Sequence, residues 1–113
     1  MLTTTKLKEN GVDTAEALAR FMNNEALYLR LFEKAIKETN LDKLEDAIKE
    51  NNLDDAFEIS HSMKGVFGNL SITNLYKISS NLTELLRAKK DIDYNEYLKE
   101  LSNELNKYLE LIN

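Results

Sequence analysis

The sequence predicts an all-α protein: an up-and-down four-helix bundle preceded by one or two short extra helices. Three observations predict it. No proline and only three glycines (Gly11, Gly65 and Gly68) occur in 113 residues, which leaves little of the punctuation that hairpins require. Leu, Lys, Glu, Asn and Ala dominate the composition, and most of these are strong helix formers. Apolar residues recur at intervals of three and four behind Asn or Asp residues suited to capping.

Taken in order, Met1 to Asn10 is polar and is expected to fray, leaving 11–113 as a single domain. Asp13-Thr-Ala-Glu16 is a capping-box pattern with Val12 as its staple residue, and it opens a short helix carrying Leu18, Phe21 and Met22. Asn23 or Asn24 caps a second helix, in which Leu27, Tyr28, Leu31, Phe32, Ala35 and Ile36 form one apolar stripe that stops around Thr39. Asn40 opens a third, with Leu41, Leu44, Ala47 and Ile48 on one face and alternating acids and lysines on the other; it closes at Asn51 and Asn52.

Asn52-Leu-Asp-Asp55 opens a fourth helix, whose apolar face is Leu53, Ala56, Phe57, Ser60, Met63, Phe67 and Leu70. Ser71 or Thr73 starts a fifth, lined by Leu75, Ile78, Ser79, Leu82, Leu85 and Leu86. Its basic end, Arg87, Lys89 and Lys90, complements the negative pole of the helix dipole. Asp93-Tyr-Asn-Glu96 is a second capping box, launching a last helix with Tyr94, Tyr97, Leu98, Leu101, Leu105, Tyr108, Leu109 and Ile112. The tyrosines follow helical spacing and belong to the bundle core or its rim, with hydroxyls reaching water. Short connections make consecutive long helices antiparallel neighbours, so the last four or so form the bundle.

Composition narrows the chemistry. With 15 Lys plus Arg against 20 Asp plus Glu, the net charge of −5 opposes a nucleic-acid backbone as partner. No cysteine is present, which excludes thiol catalysis, disulfides and thiolate metal sites. No apolar run approaches a membrane span and no secretory leader is visible, so the expected location is the cytoplasm, and no membrane partner is expected. No phosphate-cradling glycine loop occurs, so neither ATP use nor kinase activity of its own is expected.

One constellation carries chemistry. His61, the only histidine, lies mid-helix in Ser60-His-Ser-Met-Lys64-Gly65-Val-Phe-Gly68-Asn69-Leu70. At 100° per residue, His61, Lys64, Gly65 and Gly68 fall within an arc of roughly 100° on the shoulder of the apolar face. A glycine in a helix interior costs roughly 1 kcal/mol relative to alanine, so two of them beside the imidazole need an offsetting use. Both remove side chains near the ring, although Gly65 also suits close helix packing and Gly68 a loosened helix end. Lys64, one turn on, can reach a dianion at a ring nitrogen. A neutral imidazole is a nucleophile at physiological pH, so the set suits phosphoryl acceptance. No haem-attachment motif accompanies Met22 and Met63, and Glu58-Ile-Ser-His61 is a single copy of a motif that carboxylate metal bundles need twice, so no metal or cofactor site is expected.

His61-x-x-Lys64-Gly65, followed by Gly68 and Asn69-Leu70, resembles the signature of histidine-containing phosphotransfer (HPt) domains of two-component phosphorelays. The similarity extends through Gly11-Val12-Asp13, Tyr28 and Phe32, covering residues 10 to 112. The resemblance implies a four-helix bundle whose exposed His61 takes a phosphoryl group on Nε2 from one receiver-domain aspartate and passes it to another. It further implies that Lys64 neutralises that group, that Gly65 and, more weakly, Gly68 let the receiver approach, and that a divalent metal resides in the receiver. The implied partners are response-regulator receiver domains and a hybrid histidine kinase, met by a monomer. Two positions depart from the pattern. Ser71 stands where a glycine is common, and Thr83 stands where the next helix often offers Glu or Gln to the ring; its hydroxyl is the candidate for orienting the imidazole. The competing reading is a helical adaptor or kinase-binding module of the same fold that carries no phosphate.

Overall fold

Side chains cap five of the helices that the computed structural model places over its 113 residues. The seven helices are α1 (Thr4–Glu9), α2 (Thr14–Arg20), α3 (Glu25–Glu38), α4 (Leu41–Lys49), α5 (Leu53–Asn69), α6 (Thr73–Arg87) and α7 (Asn95–Ile112). The expected caps Asp13, Asn24, Asn40 and Asn52 each accept a first-turn N–H. Glu16 does not complete its capping box. Its carboxylate instead accepts from Arg20 and Ser71, while the Asp13 N–H donates to the Ser71 carbonyl. The second expected box is also modified: Asp93 accepts from the Asn95 N–H, and the buried Tyr94 sits at the cap position.

The segment expected to fray is ordered. Thr3 caps α1, Leu7 is fully buried, and the Asn10 carbonyl accepts from the Tyr108 hydroxyl at 3.0 Å. One buried leucine and a hydrogen bond to α7 dock a turn and a half of helix that local polarity alone would leave loose.

Helix ends account for only one of the three glycines. Five of them close in Schellman geometry, with paired hydrogen bonds back to the last turn, and their left-handed residues are Gly11, Met22, Asn51, Ser71 and Lys89. Only one is glycine. A residue with a side chain costs about 1 to 2 kcal/mol in that region, yet the other two glycines lie inside α5, where the backbone does not require them.

The bundle is an up-and-down arrangement of four sides. α5, α6 and α7 supply three, consecutive helices packing on one another, and α3 and α4 run in series along the fourth. The bundle thus takes one more helix than the last four. α3 enters through the aromatic series Phe21, Tyr28, Phe32 and Tyr108, with successive ring centroids 5.5, 6.1 and 5.5 Å apart. The Tyr28 hydroxyl donates to the Leu70 carbonyl at 2.7 Å. Arg20 completes the end of α5, which has no basic residue in its last turn: its Nη1 donates to the carbonyls of Gly68 and Asn69 and to Ser71 Oγ at 2.9 to 3.0 Å. The helix that carries His61 is therefore terminated by donors from α2 and α3.

Of the three tyrosines in α7 and at its cap whose hydroxyls were expected to reach water, two bond backbone carbonyls instead, Tyr108 that of Asn10 and Tyr94 that of Lys90, while Tyr97 bonds no group of the chain. Burial, with the Glu104 charge adding to it, pushes the Tyr108 hydroxyl up to about 12. Burial raises Tyr28 further. An unfolded tyrosine ionises near pH 10, so the stability these groups contribute is full below that value and is lost as pH rises toward their folded values. The urea midpoint is expected to fall between about pH 10 and 12, Tyr108 alone contributing on the order of 2 kcal/mol. Tyr108→Phe should flatten that decline; an equally steep fall in the variant would disprove the assignment.

Candidate phosphoacceptor site

His61 is exposed in the middle of α5. The reason lies in the helix register. Ser60, one residue earlier, turns fully into the interface with α6, and Ala56 and Phe67 are fully buried, so His61 falls on the rim. No hydrogen bond within the chain orients its ring. It lies instead against Phe57: the two rings stack with centroids 5.6 Å apart and planes 13° from parallel. Phe57 was expected on the apolar face; it is half-buried, one edge against the core and one face turned to the imidazole. The Arg87 guanidinium lies over the Phe57 ring, 4.9 Å from its centroid.

The two interior glycines differ. A Cβ built on Gly65 would meet nothing within 4 Å, so no neighbour in the chain requires glycine there, and the close-packing reading is removed. A Cβ on Gly68 would lie 3.0 and 3.1 Å from the Tyr76 ring. Gly68 therefore seats an aromatic side chain from α6, and the surface expected to be clear for a partner is already occupied. Lys64 is half-buried and enters none of the ion pairs, which leaves its ammonium free to meet an incoming anion.

Thr83 does not orient the imidazole. It is fully buried, its Oγ1 donating to the Ser79 carbonyl at 2.6 Å and lying 2.7 Å from Ser60 Oγ. A short β-branched hydroxyl on the inner seam of α6 satisfies itself there and does not reach around α5 to its outer face. Ser71, the other departure, adopts φ +56°, the left-handed conformation that favours glycine. Its hydroxyl compensates by donating to Glu16 and accepting from Arg20.

An exposed imidazole, an unpaired ammonium one turn away and an unneeded interior glycine thus share one helix face. A family model described as the Hpt domain matches residues 28–111. The chain belongs to the Hpt family. Hpt domains carry out histidine phosphotransfer in two-component systems and interact with receiver domains and kinases. No curated protein and no solved structure matches the chain.

The match takes in α4 to α6, all but the first three residues of α3 and all but the last residue of α7. It begins at Tyr28, so the likeness expected around Gly11-Val12-Asp13 lies outside the matched residues. In this Hpt domain no three carboxylate or imidazole groups converge, and no helix is long and apolar enough to cross a membrane. Two residues beside the site carried a signal that the periodicity reading assigned elsewhere. Phe57 precedes His61 by four residues, the spacing at which helical side chains meet, and Arg87, a cation at the end of α6, also lies over the Phe57 ring.

Proposed function

We propose that this Hpt domain is a phosphorelay intermediate that accepts a phosphoryl group on His61 from the aspartyl phosphate of one receiver domain and donates it to the aspartate of another. The observation that carries this reading is the open space beside Gly65: an interior glycine that nothing in the chain needs, one turn from an exposed nucleophile. Phosphoryl transfer depends mainly on in-line positioning and on neutralising charge. In the accepting direction, the lone pair of His61 Nε2 attacks phosphorus. The P–N bond forms as the P–O bond to the aspartate breaks, the carboxylate leaves, and the imidazole keeps its Nδ1 proton. Lys64 offsets charge on the phosphoryl oxygens, and Gly65 lets the receiver close on the ring. The domain needs no cofactor of its own in this scheme; a divalent metal comes with the receiver. We place the reaction in the cytoplasm, with the protein acting as a monomer, and a hybrid histidine kinase is a further proposed partner.

The test is incubation of the protein with a radiolabelled, phosphorylated receiver. Label that moves to this chain and is acid-labile and alkali-stable supports the relay. Binding without label, across active receivers, would favour the adaptor instead. Lys64→Ala should fold normally and transfer roughly tenfold more slowly, the equivalent of one charge-assisted contact of about 1.4 kcal/mol. An unchanged rate and an unchanged phosphohistidine lifetime would remove Lys64 from the mechanism.

A further inference from the structure

We infer that Phe57 is a positioning residue for the phosphoacceptor: its ring, steadied by Arg87, holds the His61 imidazole in the plane from which Nε2 can attack in line. The inference rests on the proposed relay and deepens it. A histidine on a helix has a restricted χ1, but its terminal torsion is broad and roughly two-fold. That torsion decides where the in-plane lone pair of Nε2 points. A hydrogen bond from Nδ1–H would normally settle it, and here the candidate acceptor, Thr83, is committed to Ser79 and Ser60. The near-parallel stack on Phe57 is the remaining constraint.

Phe57 is itself held from two sides. One edge packs on the core, and the Arg87 guanidinium covers its ring while Arg87 Nε pairs with Glu84 at 3.4 Å. Cation, aromatic ring and imidazole therefore link α6 to the nucleophile on α5 without touching the space above Gly65. Phosphorus then meets a nitrogen already aimed outward: the P–Nε2 bond forms as the P–O bond of the aspartyl phosphate breaks, and the carboxylate carries away the electron pair. Stacking of this kind biases an orientation by about three- to tenfold, and the rate at saturating receiver should carry that factor.

Phe57→Leu keeps the apolar contact with the core and removes the flat surface. Its transfer rate from a saturating phosphorylated receiver is expected to drop by about three- to tenfold, with the half-saturating receiver concentration unchanged. The proton shifts of the His61 ring should lose the ring-current displacement that a stacked neighbour imposes. Phosphorylation by phosphoramidate, a small donor with no fixed direction of approach, should proceed at the wild-type rate. Phe57→Tyr should restore both the rate and the shifts. Arg87→Met, at an exposed position where folding is not at risk, should move the His61 shifts the same way by a smaller amount and slow transfer about twofold.

Wild-type transfer by Phe57→Leu, a loss shared by phosphoramidate, or a change confined to half-saturation would overturn the inference; the last would mean that Phe57 touches the receiver. Failure of the relay reading looks different: the wild type itself would then take no label from any active receiver.

Discussion

His61→Gln is expected to abolish phosphoryl acceptance while leaving the fold and receiver binding in place. Glutamine matches the length of the imidazole and has no nucleophilic nitrogen, so no P–N bond can form. The site is exposed on a complete helix, and substitutions of that kind change stability by no more than about 0.5 kcal/mol. The melting temperature should therefore move by no more than about 3 °C, and receiver affinity should change by about twofold or less. The measurement pairs radiolabel transfer with a binding titration. Residual acid-labile label on the variant would place the phosphoacceptor elsewhere, which for a chain with one histidine would refute the mechanism outright.

Substitution at Gly65 is expected to move stability and activity in opposite directions. Gly65→Ala adds a methyl group to open space on a helix, so the helix gains about 1 kcal/mol from the lower backbone entropy of its unfolded state. The same methyl group stands where a receiver must approach the ring. Gly65→Leu should leave helix content intact and slow transfer on the order of 100-fold, the scale on which misplacing reacting atoms by about 1 Å acts. Urea denaturation and single-turnover transfer, measured on both variants, test the pair of effects together. A stabilised Gly65→Leu protein that transfers at the wild-type rate would show that the cleared surface has no part in receiver access.

Gly65 and Gly68 show why a helical wheel reads one glycine correctly and the other not. Both lie on the His61 side of α5, and the wheel treats both as vacancies. Whether a vacancy stays empty depends on the neighbouring helix, and at Gly68 α6 fills it with Tyr76. Thr83 follows the same logic. Its spacing from the motif put it level with the ring, but the rotation of α6 turns its hydroxyl inward to Ser60, and no local signal carries that rotation. The roles of Arg20 and Phe57 escape a local pattern for different reasons. Arg20 caps carbonyls 48 and 49 residues away, beyond any local pattern. Phe57 sat at a legible i,i+4 spacing but was absorbed into an apolar stripe.

By itself the sequence determined the helical class, the starts of α2 to α5, the solvent-facing shoulder that carries His61, and its grouping with Lys64 and Gly65. Those features follow from caps and from a 3.6-residue period, which act within a few residues along the chain. The tertiary structure decided the docking of α1, the serial use of α3 and α4 as one side of the bundle, the capping of α5 by Arg20, and the aromatic stack that holds the imidazole. Each of these depends on which face one helix presents to another, and that is set by packing between elements distant in the chain.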